Sequence, residues 1–228
     1  MSNYQRYALY YAPPSGSALA RFGASWLGWD VEAGAGVSHP DVNGFDVAAA
    51  TETPRKYGFH GTMKPPFRLA DGSDADGLAE AVATLASAVP AFEAPPLALR
   101  RLGPFLALVP SAPSASLADL AGRCVMDLDR FRAPQGEAEL AKRRANGLTA
   151  EQDALLLQWG YPYVLSEFRF HLTLTGRLDD ATAEHAIDVL SPLTAPLCTE
   201  PMPVREICLC GEAQDGRFRL IHRYALAS

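Results

Sequence analysis

The chain has 228 residues, 48% of them hydrophobic and 20% charged, which gives it enough apolar material for a substantial core and sets it apart from disordered sequences. A formal net charge of −6 argues against a grip on long nucleic acid, which leaves a strongly basic footprint, but leaves room for small anions or an RNA end. No run approaches eighteen apolar residues, and no basic segment leads into an apolar stretch near the start. The expectation is therefore a cytoplasmic protein with no membrane partner.

In chain order, residues 7–12 are aromatic-rich and stop at Pro13-Pro14, which predicts a strand. Residues 17–28 place Leu19, Phe22, Trp26 and Leu27 at helical intervals behind a serine cap. The glycine- and proline-marked segment 29–53 reads as a long loop, and its length makes it a candidate lid. A helix follows within 71–90, with Leu78, Val82, Leu85 and Val89 on one stripe. Strands at 94–102 and 105–109 lead to a Pro/Ser linker at 110–116, which sets approximate lobes of 1–112 and 113–228. Residues 117–131 are amphipathic. Thr149 and Gln152 form a capping box for a helix ending near Gly160. A strand at 168–175, a helix at 181–190 and a hairpin of 204–210 with 218–225 complete the chain. Strand pairs with helices between them do not make a βαβ series, so the class is α+β. The four cysteines, Cys124, Cys198, Cys208 and Cys210, are too irregularly spaced for a zinc knuckle and read as reduced thiols.

Two segments stand out. "RKYGFHGTMKPPF" spans residues 55–67 and "EFRFHLTLTG" spans 167–176, so Phe-His-x-Thr occurs once in each half. On a strand, His60 and Thr62 share one face while Phe59 and Met63 point away, and the same holds for His171 with Thr173. Strict alternation adds Lys64, and more weakly Lys56, to the His60 face, and Arg169 to the His171 face. Tyr57 and Arg55 lie nearby. Cations and hydroxyls suit a phosphate-like anion, and two imidazoles can divide acid and base roles without requiring a metal or cofactor. A single strand histidine beside a threonine is ordinarily a hydrogen-bonded structural residue. Two copies with the same flanks at equivalent positions in similar halves weigh against that reading.

"FHGT" and "FHLT" resemble the paired His-x-Thr motifs of the two-histidine (2H) phosphoesterase superfamily, which includes RNA 2',3'-cyclic phosphodiesterases. More narrowly, the longer segments resemble a largely uncharacterised branch associated with phosphonate-utilisation operons. The resemblance implies a bilobal α+β fold with two pseudo-symmetric antiparallel sheets, flanking helices and a central groove. It also implies His60 and His171 as the catalytic pair, with Thr62 and Thr173 holding phosphate. Tyr57, Lys64 and Arg169 join them from strand geometry as further substrate-binding candidates.

The function expected is metal-independent hydrolysis of a small cyclic phosphodiester, such as a phosphorylated ribose cyclic phosphate, with the base and acid not assigned between the histidines. Two alternatives remain: an RNA 2',3'-cyclic phosphodiesterase, and a non-catalytic sensor of a phosphosugar or nucleotide. His39, His185, His222 and the charged stretch 141–147 read as supporting or surface features.

Overall fold

In the computed structural model, which describes residues 4–145 and 147–228, the elements begin with β1 (Arg6–Tyr11), α1 (Ala18–Leu27), β2 (Trp29–Asp30), β3 (Ala35–Gly36), α2 (Val47–Ala50), α3 (Glu52–Arg55) and β4 (Gly61–Phe67). They continue with α4 (Ala75–Ser87), β5 (Phe92–Ala94), β6 (Leu97–Leu102), β7 (Phe105–Pro110), α5 (Ala115–Met126), α6 (Glu137–Arg144) and α7 (Ala150–Trp159). The last are β8 (Leu172–Thr173), α8 (Asp180–Thr194), β9 (Met202–Val204), β10 (Glu206–Glu212) and β11 (Phe218–Ala225).

Helix ends follow local chemistry. The Ser17 hydroxyl accepts from the Ala20 N–H and starts α1, and the Thr149–Gln152 capping box starts α7. The helix expected over 117–131 ends at Met126, and a short 3-10 turn occupies Asp129–Phe131. No helix among the described residues is long and apolar enough to cross a membrane.

The chain is α+β, with antiparallel strands and flanking helices. Seven strands form one sheet in the order β11-β10-β1-β4-β8-β7-β6. It narrows at the β4–β8 contact, where the ladder is the single pair Gly61↔Leu172, so a four-stranded and a three-stranded half abut there. The strands do not divide as lobes 1–112 and 113–228. β6 and β7 join β8, while β10 and β11 join β1. Hairpin pairing is local and readable, but the edge a hairpin joins is chosen by main-chain hydrogen bonds that carry no residue identity.

The large core lies between the sheet and α4, α5 and α8. Leu9, Met63, Leu106, Leu108 and Leu172 of the sheet meet Leu78, Val82, Leu117, Leu120 and Leu190 of those helices. The other sheet face carries a smaller cluster of Ala8, Tyr10, Cys208, Cys210 and Phe218, covered by Trp29 and Val31. That cover comes from the segment expected as a loop and candidate lid. Trp29 Nε1 donates to the Phe218 carbonyl at 2.9 Å and Leu220 N–H to the Val31 carbonyl at 2.8 Å, while Phe45 and Val47 are buried in the large core. Four apolar anchors fix residues 29–53 to the body. All four cysteines are free thiols.

Candidate active site

The Gly61↔Leu172 pair joins the two motifs. In an antiparallel ladder, continuing that register one step each way sets His60 opposite Thr173 and Thr62 opposite His171. Leu172 points into the large core, so the four polar side chains occupy the other face, with cross-strand neighbours about 5 Å apart at Cβ. The glycine of the first motif is what permits this approach, because any side chain at Gly61 would collide with the ring of Phe170, the phenylalanine of the second. Phe59 and Phe170 are both buried, as alternation predicted.

The imidazoles are oriented in the same way. His60 Nδ1 lies 2.9 Å from the Gly58 carbonyl, and His171 Nδ1 lies 2.8 Å from the Arg169 carbonyl. A carbonyl only accepts, so Nδ1 carries hydrogen in both rings and Nε2 is the working nitrogen. Gly58 sits at φ 72°, a left-handed conformation open to glycine, and this turn aims its carbonyl at the ring. His60 Nε2 accepts from the Thr62 hydroxyl at 3.1 Å.

The two histidines differ in their surroundings. The His60 ring stacks on Tyr10 with centroids 3.7 Å apart and lies near Tyr57, whose centroid is 6.1 Å away. Burial pushes its pKa down to about 4; the Gly58 hydrogen bond opposes the shift and nearby His171 adds to it. His60 is thus neutral at pH 7. The His171 ring has Phe105 beside it at 5.7 Å.

Lys64 does not join the site. Leu9 pairs with Lys64 and Tyr10 with Thr62, so Met63 is an extra residue in β4, a bulge that reverses the alternation after Thr62. The Lys64 side chain is buried on the helix side, donating from Nζ to the Val125 carbonyl at 2.9 Å and lying 3.5 Å from Asp129. Burial lowers its pKa to about 8, with Asp129 opposing the shift. Lys56 lies over the Tyr57 ring, and Arg55 donates to the Leu27 carbonyl. His39 Nδ1 lies 3.0 Å from the Trp26 carbonyl, and the His185 and His222 rings pack against Phe45 and Tyr224, in supporting positions. In the charged stretch, Arg144 pairs with Asp153 and Arg143 with Glu139.

Sequence reading missed two neighbours. Tyr10 is 1% exposed, pairs with Thr62 and lies against His60, but its aromatic segment gave no reason to prefer it to Tyr11. Arg100 shares a row with Thr173 across Ala107, which only the register reveals. Beside these residues runs an open groove of about 530 Å³, whose lining includes Thr62, His171, Arg169, Tyr161 and Tyr163.

Residues 62–219 match the family described as "Protein of unknown function (DUF1045)". A protein of Janthinobacterium sp. (strain Marseille) named "Ribose 1,5-bisphosphate phosphokinase PhnN" is 41% identical over 218 residues, 92% of this chain and 48% of that one. One of the same name from Laribacter hongkongensis (strain HLHK9) is 36% identical over 177 residues, 77% of this chain and 41% of that one. The chain spans about half the length of these curated relatives or less. Among solved structures, E. coli LigT in apo form is 15% identical with a TM-score of 0.48, each chain covered in full. A structure described as a phosphoesterase is 16% identical with a TM-score of 0.46, covering 99% of this chain and 100% of that one. The match across most of its length places the chain in the DUF1045 family.

Proposed function

We propose that the chain is a phosphodiesterase of the two-histidine type that opens a small cyclic phosphodiester by hydrolysis. The observation that carries this reading is the Gly61↔Leu172 pair that joins the two His-x-Thr motifs, with both Nδ1 atoms committed to backbone carbonyls. In this mechanism His60, held neutral by burial, is the base and His171 the acid. The Thr62 hydroxyl turns from His60 Nε2 to a phosphate oxygen, which frees Nε2 for water, and Thr173 holds another oxygen. Water oxygen bonds to phosphorus while its proton passes to His60 Nε2. The ring P–O bond breaks and the departing alkoxide takes the proton from His171 Nε2. Exchange with solvent restores both rings.

The substrate proposed is a cyclic phosphate on a phosphorylated ribose. The chain contains no Gly-x4-Gly-Lys-Ser/Thr loop of the kind that cradles ATP phosphates, so the kinase chemistry in the relatives' name has no such support here. Hydrolysis does relate to that name: opening a phosphate that bridges O1 and O2 of ribose 5-phosphate, at its O2 bond, leaves ribose 1,5-bisphosphate. The expected place in phosphonate metabolism belongs to this proposal. Phe105 beside His171 and the exposed Tyr163 favour a second reading, in which a base stacks there and the substrate is a nucleotide or RNA 2',3'-cyclic phosphate. A non-catalytic sensor would bind the same compounds without converting them.

Phosphorus NMR of the purified protein with each cyclic phosphate separates the readings. Ring opening that disappears in His60→Ala and His171→Ala supports the proposal, and tight binding without turnover overturns it in favour of a sensor.

A further inference from the structure

The groove beside the two motifs holds an acid that the histidine and threonine chemistry does not use. Its size falls within the usual range for ligand sites and exceeds what a phosphate group occupies, which leaves room for the sugar. Glu167 is the single acid among the described residues that line it, alongside Thr62, Arg169 and His171. A carboxylate repels a phosphate held nearby, whereas it accepts a strong, charge-assisted hydrogen bond from a neutral hydroxyl. We propose that Glu167 is a specificity-determining residue that accepts from a free hydroxyl of the sugar carrying the cyclic phosphate. This rests on the phosphodiesterase reading and deepens it by naming the group that reads the sugar rather than the phosphate.

The carboxylate is held by a chain of hydrogen bonds that starts in a helix cap. Gln152, also on the groove wall, accepts with Oε1 from the Thr149 N–H at 3.1 Å as part of the capping box of α7. That bond fixes which end of the amide is which, and Nε2 donates to Glu167 Oε2 at 2.9 Å. Glu167 is half-buried, has no ion pair among the described residues, and keeps acceptor capacity on Oε1 for a ligand. The short 3-10 turn that carries it, Leu165–Glu167, begins at φ 51°, the single positive φ of a non-glycine residue among those described. Such strain persists where the surroundings over-determine the backbone. Here the Leu165 side chain lies beside Gly122 of α5, and Ser166 Oγ donates to Glu151 of α7 at 2.6 Å. The turn is pinned from both sides, and the carboxylate with it.

The test compares kcat/KM for the 1,2-cyclic phosphate of ribose 5-phosphate with that for its 3-deoxy counterpart, since O3 is the hydroxyl that compound leaves free. Wild type should prefer the hydroxylated compound roughly 10- to 100-fold, the effect of a charge-assisted hydrogen bond. Glu167→Ala should abolish the preference. Glu167→Gln, which keeps the size and offers a neutral acceptor, should keep only part of it. Ser166→Ala, which frees the same turn from α7 without touching the carboxylate, should keep the preference. A preference that survives Glu167→Ala, the absence of one in wild type, equal losses on both compounds in the Glu167 variants, or an equal fall in Ser166→Ala overturns the proposal. If neither compound is opened, the same comparison of Kd by calorimetry decides. A hydroxyl preference that depends on Glu167 then upholds its role and only the phosphodiesterase reading fails, while equal or undetectable binding of the two compounds overturns it.

Discussion

The two walls of the site carry the same four-residue motif in different settings. At the position across from Thr62 stands Tyr10, an aromatic ring stacked on His60, whereas the position across from Thr173 holds Ala107, which presents only a methyl group. Tyr57 and Phe218 thicken the first wall, and the second opens onto the groove with Arg169. Burial on the first wall keeps His60 neutral. The two rings therefore share one orientation through their Nδ1 bonds, and burial against the Tyr10 wall holds the His60 ring neutral.

Removing either histidine should have the largest effect. His60→Ala and His171→Ala should each cut turnover by roughly 10²- to 10⁴-fold, the range for a lost general base or acid. If one wall alone carried the chemistry, only one of the two variants would be impaired in a turnover assay. Thr62→Val and Thr173→Val should cost less, roughly 10- to 100-fold each, since each removes one hydroxyl contact to the phosphate.

Tyr10→Leu keeps an apolar residue but removes the stack, so His60 should titrate above its value near 4, toward the ordinary 6.5, and the acidic limb of activity should follow it. Gly61→Ala tests the seam between the walls. The added methyl meets Phe170, and unfolding by denaturant should show a loss of about 1–3 kcal/mol.

The smallest effect on turnover is expected at Lys64→Met, which should leave it unchanged because that side chain lies on the helix side. The folded pKa of Lys64, about 8, lies below its ordinary 10.5, so between those values the unfolded chain holds more proton at this group. Wild-type stability relative to Lys64→Met should therefore rise as pH increases from 8 to 10.5, measured by urea unfolding.

Much of this arrangement was legible from the residues. The repeated Phe-His-x-Thr, the helix caps at Ser17 and Thr149 and the hairpins are local signals, and local hydrogen bonding fixes them. What could not be read depends on contacts between distant strands. The Met63 bulge reversed the expected side of Lys64, since alternation assumes an unbroken ladder. The exchange of hairpins between the sheet halves hid Tyr10 and Arg100, because register across strands leaves no trace in either strand alone. Residues 29–53 looked like a lid because their glycines and prolines are conspicuous, while Trp29, Val31, Phe45 and Val47, which anchor the segment, are too scattered to show periodicity.

The most direct measurement is the pH dependence of kcat/KM for opening the cyclic phosphate of ribose 5-phosphate, in wild type and Tyr10→Leu. An acidic limb near pH 4 is expected in wild type, moving up toward 6.5 in the variant. A wild-type limb already near 6.5 and unmoved by the substitution would contradict the assignment of His60 as a base held neutral by its wall.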